Sequence, residues 1–167
     1  MCYSGLTQAM ECIAAMACKH VWKAIWLMQV PQKVKTFIWG ACRNAMPMKQ
    51  ALVRRTIIAN SICDCCRVVA EDPLHTLWSC IELDIVWADQ SLWNFWNLVG
   101  FADFKNLVSW IILEGRQLDL FAITAWSVWN QRNQVRLQVS ATALHQVVAA
   151  SKTSLNDFHM KRQETET

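Results

Sequence analysis

A cluster of cysteine and histidine residues between positions 63 and 80 constrains this 167-residue chain most strongly. Its spacing, C-x2-C-x8-H-x4-C, is formed by Cys63, Cys66, His75 and Cys80. Zinc prefers four nitrogen or sulfur ligands in a tetrahedral arrangement, and a C-x2-C pair turns tightly enough to place two thiolates on one ion. His75 and Cys80 are five positions apart, so a short helical or turn segment can present both to the same point. The pattern therefore predicts one Zn2+ site.

Three thiolates and one neutral imidazole fill the coordination shell, and a closed shell indicates a structural rather than a catalytic metal. In so small a segment, metal binding supplies folding free energy, on the order of 10 kcal/mol at neutral pH. Two alternatives stay open. Cys63 and Cys66 are ordinary thiols in a chain of eight cysteines, or they form a redox pair, which would favour a strand–helix context. Cys65 is interpreted as a bystander able to replace a ligand.

The remainder of the chain indicates helices. Four glycines and three prolines are too few for a sandwich or barrel built from many turns. An apolar content of 54% with 17% charged residues argues against intrinsic disorder. The length suits one domain with an extension. We therefore predict a mainly α fold, in which a helical domain with a small zinc-stapled loop is followed by a helical extension.

Hydrophobic periodicity places the individual helices. After Pro31, the apolar residues Val34, Phe37, Ile38 and Ala41 recur at i, i+3, i+4 and i+7, which is typical of an amphipathic helix. Further helices are predicted over 48–55, 81–99, 104–113, 118–137 and 141–158. The polar tail 160–167 is expected to fray.

The charge distribution is uneven along the chain. Residues 1–62 carry eight Lys or Arg and one acidic residue, a formal charge of +7, whereas residues 63–167 carry −4. A basic first third favours a surface that faces a polyanion, although a solvated helix face explains it too. Trp39, flanked on one helix face by two cations, could stack on a base or pack in the core. The candidate nucleic-acid-binding residues are Lys33, Lys35, Trp39, Arg43, Lys49, Arg54 and Arg55.

Other function classes find little support. No apolar run approaches the roughly 18 residues that a membrane span requires, and no secretory signal is recognisable. We therefore expect no membrane partner and an intracellular, reducing compartment, in which cysteines are free thiols or metal ligands. No Ser/His/Asp set, paired-carboxylate motif or glycine-rich phosphate loop indicates an enzyme.

The motifs and their order resemble a known family over residues 20–90. The pattern is Trp22-Lys23-x-x-Trp26, Val30-Pro31-x-Lys33-Val34-Lys35-x-Phe37-Ile38-Trp39, Met46-Pro47-Met48-Lys49-x-x-Leu52-x-x-Arg55, the Cys/His cluster with Glu71 four residues before His75, and Val86-Trp87. It resembles the zinc-binding domain that follows the reverse transcriptase in plant non-LTR (LINE-type) retroelements. Downstream, Trp126-x-x-Trp129-x-x-Arg132-Asn133 is similar to the helical connector that often precedes an RNase H-like domain.

The resemblance implies a zinc-binding domain over 20–90 and a helical connector over 91–160. This chain has Asp72 where the family usually has Thr, and Asp64 and Cys65 where it often has Pro, but no ligand is lost. It lacks the Tyr-x-Asp-Asp motif of a polymerase and the acidic residues of an RNase H. We therefore expect a non-catalytic fragment that contributes to binding RNA or DNA. The alternative is a zinc-stabilised interaction or scaffold module that meets an acidic protein partner.

Overall fold

A computed structural model describes residues 4–89, 91–96 and 98–166, with side chains described from Met16 onward. The described residues are mainly helical and contain no β-strand, only a single antiparallel bridge between Ile62 and Ala70. The helices are α1 (Ser4–Leu27), α2 (Gln32–Cys42), α3 (Lys49–Arg54), α4 (Asp84–Trp87), α5 (Phe104–Leu113), α6 (Leu118–Arg136) and α7 (Leu144–Glu166). A π-helical turn (His75–Ser79) and a 3-10 turn (Ile81–Leu83) lie between α3 and α4. The predicted mainly α fold is confirmed.

Four helices end in the same way, which explains how so few glycines suffice. The residue after the C-cap of α2, α3, α5 and α6 adopts a left-handed conformation, and the next N–H donates to a carbonyl five residues earlier at 2.9–3.0 Å. This is the Schellman arrangement, which satisfies carbonyls that a helix end would otherwise leave unpaired. The left-handed residues are Asn44, Thr56, Gly115 and Gln138. Only one of the four is glycine, so the glycine positions in the sequence could not indicate the other three helix ends.

The single helix predicted over 81–99 is wrong. Of its described residues only Asp84–Trp87 is α-helical, and positions 90 and 97 lie outside the described part. The Asp89 carboxylate accepts hydrogen bonds from the Ser91 N–H at 3.0 Å and the Ser91 hydroxyl at 2.5 Å. Such side-chain bonds offer the backbone an alternative to the helix. The chain therefore turns, and Trp93 and Trp96 become buried.

An aromatic cluster occupies the centre of the molecule. Trp87 lies with its ring centroid 5.2 Å from that of Trp93 and 5.4 Å from that of Phe121, and all three side chains are at most 1% exposed. Trp78 adds a contact of 4.9 Å to Trp87. Aromatic pairs at such separations contribute beyond the area that they bury. The cluster therefore joins the segment after the cysteines to α6.

Helix α6 packs against α2, α5, α7 and the π turn, so the predicted zinc-binding and connector segments are in contact. Their division at residue 90 stays a prediction. Helix α7 continues to Glu166, where Arg162 and Glu166 form an i, i+4 ion pair at 3.0 Å. The predicted fraying of the tail is thus wrong as far as Glu166, and Thr167 lies outside the described residues. No described helix is long and apolar enough to span a bilayer.

Candidate metal centre

The first two candidate ligands lie in a tight reversal of the chain. The Ile62–Ala70 bridge closes it, and the Cys63 N–H donates to the Val69 carbonyl at 2.8 Å. Inside the reversal, the Arg67 N–H donates to the Cys63 carbonyl at 2.9 Å, and Arg67 is left-handed with φ 58°. This turn brings Cys63 and Cys66 to the same side of the loop, as the C-x2-C spacing predicts.

The second two ligands are joined by the π turn. The Asp72 carboxylate accepts the His75 N–H at 2.7 Å, and the Cys80 N–H donates to the His75 carbonyl at 3.0 Å. In an ordinary α-helix, residues five apart point about 140° away from each other. The i→i+5 bond of a π turn changes this angle, and π turns are frequent at functional sites. Here the bond directly connects the two ligand residues.

The four ligand atoms of Cys63, Cys66, His75 and Cys80 all lie within 4.8 Å of one another. The Cys66 sulfur is 3.3 Å from His75 Nε2. Around a tetrahedral Zn2+ with Zn–S bonds of about 2.3 Å, ligand sulfurs are separated by about 3.8 Å. Cys63, His75 and Cys80 are at most 5% exposed, and Cys66 is half-buried. The donor set and its spacing therefore fit a closed tetrahedral site.

The thiols of the loop differ in acidity. Burial acts to raise the pKa of Cys63, but the backbone N–H of Cys66 and the guanidinium of Arg132 donate hydrogen bonds to its sulfur and lower the pKa to about 6. Burial raises the pKa of Cys65 to about 11. Thiolates, not thiols, bind metals. The Cys63 environment thus favours the ligand form, whereas Cys65 lies outside the group of four.

Two buried indoles hold the turn that carries His75 and Cys80. Trp87 Nε1 donates to the Leu77 carbonyl at 3.1 Å, and Trp96 Nε1 donates to the Trp78 carbonyl at 3.0 Å. A π turn leaves backbone carbonyls without helical partners, and buried carbonyls require one. The indoles provide these hydrogen bonds from the aromatic cluster.

The two departures from the family pattern have structural roles. Asp72 caps the turn at His75, a role that Asp and Thr share because both offer a side-chain oxygen to a backbone N–H. Asp64, inside the C-x2-C loop, pairs with Lys49 and lies 4.0 Å from Arg136 Nε. Both aspartates therefore contact groups close to the candidate ligands.

Three of the predicted nucleic-acid-binding residues have partners inside the molecule. Lys49 donates to the Ile62 carbonyl at 3.1 Å and pairs with Asp64. Both partners lie in the segment 61–71, which carries Cys63 and Cys66 and is called the metal loop. Lys35 donates to the Trp26 carbonyl at 2.9 Å, near the end of α1. Trp39 packs with its ring centroid 6.3 Å from that of Trp26, which is 41% exposed.

The other four candidate residues are exposed cations. Arg43 lies over the ring of Trp39 at 4.5 Å, and Lys33 lies over the ring of Trp126 at 4.5 Å. Arg54 and Arg55 form no side-chain hydrogen bond or ion pair with any described residue. The seven candidates therefore divide into three that stabilise the fold and four whose charge faces solvent.

Two arginines of α6 reach the metal loop, a contact that the sequence reasoning missed. Arg132, 6% exposed, has Nη1 at 3.4 Å from the Cys63 sulfur and 3.0 Å from the Cys65 sulfur. Arg136 Nη2 donates to Glu71 Oε1 at 2.6 Å, and Glu71 is 1% exposed. The spacing in the sequence could have predicted that Arg132 is buried, because it follows the apolar Trp129 by three residues and so lies on the same face of the helix.

A helical module that places three cysteines and one histidine in one group has the donor set typical of the class of metal-binding domains. Comparison with family models specifies the class, since the family described as zinc-binding in reverse transcriptase matches residues 2–87. The chain belongs to this family, which confirms the resemblance seen in the sequence.

One curated relative agrees with a plant retroelement origin. A protein named "Putative ribonuclease H protein" from Arabidopsis thaliana is 34% identical over 56 residues. The match covers 34% of this chain and 9% of that relative, so the shared segment is a small part of the larger protein. No solved structure matches the chain.

Proposed function

We propose that this chain is a non-catalytic module that binds one structural Zn2+ and contributes to binding RNA or DNA. The observation that carries the zinc assignment is the group of four ligand atoms within 4.8 Å. Three sulfurs and one imidazole nitrogen match the preference of zinc and leave no position for a substrate. Such a module would act in a reducing intracellular compartment, where its thiols remain available to the metal.

The nucleic-acid role is supported by the way the metal loop holds α3. The Gln50 N–H donates to the Glu71 carbonyl at 3.0 Å, and Lys49 bonds the Ile62 carbonyl, so the first turn of α3 is tied to the loop. Arg54 and Arg55 lie at the other end of this short helix and are exposed. An ordered loop therefore orients two cations that are free to contact phosphates.

The zinc assignment is tested by elemental analysis of the purified chain and of a Cys80→Ala variant. We expect one zinc per wild-type chain and loss of the metal in the variant, because Cys80 is a fully buried ligand. A Cys65→Ser variant is the matched control and keeps the metal. A wild-type chain that folds normally without metal would contradict the assignment.

Nucleic-acid binding is tested by the salt dependence of affinity for labelled single-stranded RNA. If Lys33, Arg43, Arg54 and Arg55 each contact one phosphate, the slope of log affinity against log salt is about −3. Changing Arg54 and Arg55 to Ser should reduce its magnitude by about 1.4. The control changes Lys152 and Lys161 of α7 to Ser and leaves the slope unchanged.

The second candidate function is a zinc-stabilised scaffold that binds an acidic protein partner. The exposed cations that would contact phosphates support it as well, because an acidic protein surface would pair with the same charges. A salt slope near zero for the zinc-loaded chain would reject RNA binding and leave this candidate.

A further inference from the structure

We propose that Arg132 of α6 is part of the metal centre and balances the charge of its thiolates. This inference rests on the proposed Zn2+ site and extends it to a helix outside the matched residues 2–87. Arg132 is 6% exposed, and its Nη1 lies 3.4 Å from the sulfur of the candidate ligand Cys63. It also lies 3.0 Å from the sulfur of Cys65, which is outside the ligand group.

The charge of the centre explains why a cation is needed. Three thiolates and one neutral imidazole around Zn2+ leave a net charge of −1, and three of the four ligands are buried. A buried net charge is unfavourable unless it is paired. The guanidinium contributes +1 directly beside the Cys63 sulfur, so the centre with Arg132 is neutral. Charge-assisted hydrogen bonds of this kind are stronger than neutral ones.

The same reasoning applies in the opposite direction. A buried guanidinium without a negative partner is also unfavourable. Among the described residues its hydrogen-bond acceptors are cysteine sulfurs, while its Nε has no partner. The thiolates of a loaded site therefore stabilise the position of Arg132, and through it the docking of α6.

A second contact fixes the same helix on the same loop. Arg136 follows Arg132 by four residues, so both side chains leave α6 on one face. Its bond to the buried Glu71, four residues before His75, fixes the helix against the other side of the loop. Metal binding and the docking of α6 are thus linked through two arginines that contact different parts of one loop.

The test compares charge with hydrogen bonding at position 132 in the full chain. Arg132→Gln keeps an N–H donor but removes the charge, and we expect its zinc affinity, measured by competition with a chromophoric chelator, to fall about 10–100-fold. Arg132→Lys keeps the charge and should retain most of the affinity. Val128→Ala, a buried change one turn earlier on α6, is the control for general destabilisation.

A spectrum separates a direct effect from a loss of stability. In the Co2+-substituted protein, the sulfur-to-metal charge-transfer band should shift in Arg132→Gln and stay unchanged in Val128→Ala. Wild-type affinity and band position in Arg132→Gln would overturn the inference. If that variant does not fold, Arg132→Lys decides, since a loss of affinity beyond 100-fold would also overturn it. A wild-type chain without zinc would instead refute the proposed function.

Discussion

The metal loop and the aromatic cluster both contact the π turn, but they do so by different means. Within the loop, Val68 and Val69 are 76% and 48% exposed, so hydrophobic burial contributes little to its closure. In the core, Trp87, Phe121 and Leu107 are fully buried. Closure of the loop would therefore depend on bonds to the proposed zinc, whereas the core depends on packing.

This difference indicates how the site is assembled. Indole N–H groups from the core fix the Leu77 and Trp78 carbonyls, and so fix the turn between His75 and Cys80. Cys63 and Cys66 come from the loop, which a single bridge closes. One half of the donor set is thus positioned by the core, and we expect the proposed zinc to recruit the other half.

Metal removal should separate the two regions most clearly. Chelation withdraws ligand bonds worth on the order of 10 kcal/mol in small zinc sites, so we expect residues 61–71 to lose hydrogen-exchange protection. The near-UV circular dichroism of the buried tryptophans should remain. Loss of both signals at the same chelator concentration would mean that the core also depends on the metal.

Truncation of Trp87 should weaken the core while leaving the ligands in place. Trp87→Ala removes a fully buried side chain and the donor to the Leu77 carbonyl, so the free energy of unfolding should fall by about 3–5 kcal/mol. Urea titration at saturating zinc measures it. Trp26→Ala, at a 41% exposed position, is the control and should cost less. Equal losses would contradict the distinction between core and surface tryptophans.

The sequence predicted the local parts of this arrangement well. The ligand spacing lies within 18 residues, so its chemistry is visible without knowledge of the fold. Periodicity predicted α5 with the observed bounds and α6 to within one residue of its end. The prediction of one helix over 81–99 was wrong because two features there outweigh helix propensity. They are the hydrogen bond from the Ser91 N–H to the Asp89 carboxylate and the packing of Trp93 in the aromatic cluster.

Long-range contacts were beyond such reasoning. Arg132 lies 69 positions from Cys63, and no local pattern pairs them. Charge counting likewise gives the number of cations but not their partners. It treated Lys49 and Arg54 alike, although Lys49 bonds the metal loop and Arg54 is exposed.

The ion pair that joins the loop to α6 should have an intermediate effect. Arg136→Gln leaves the Glu71 carboxylate buried with a weaker partner, so we expect the free energy of unfolding to fall by about 1–3 kcal/mol. Adding Glu71→Gln should recover part of this loss, because the unpaired charge disappears. Thermal unfolding of both variants and of the Glu71→Gln single variant measures the coupling. Strictly additive losses would show that the pair does not couple the two regions.

Left-handed residues provide the smallest and most controlled comparison, with one position near each region. Thr56, at φ 58°, lies between α3 and the metal loop, and Gly115, at φ 61°, lies between α5 and α6. A left-handed conformation costs an L-residue roughly 1–2 kcal/mol, while glycine loses somewhat more chain entropy on folding. Thr56→Gly should therefore raise the free energy of unfolding by about 0.5–1 kcal/mol.

The reverse change, Gly115→Ala, should lower the free energy of unfolding by about 1 kcal/mol, since an added Cβ meets no atom within 4 Å and only the backbone conformation opposes it. Urea titrations with and without zinc distinguish the regions. If the loop closes only around the metal, the gain from Thr56→Gly should be larger in the zinc-loaded chain, whereas the loss from Gly115→Ala should be the same in both states. An equal gain from Thr56→Gly without zinc would show that the segment between α3 and the metal loop is ordered without the metal. The metal-free fold would then position more of the site than His75 and Cys80 alone.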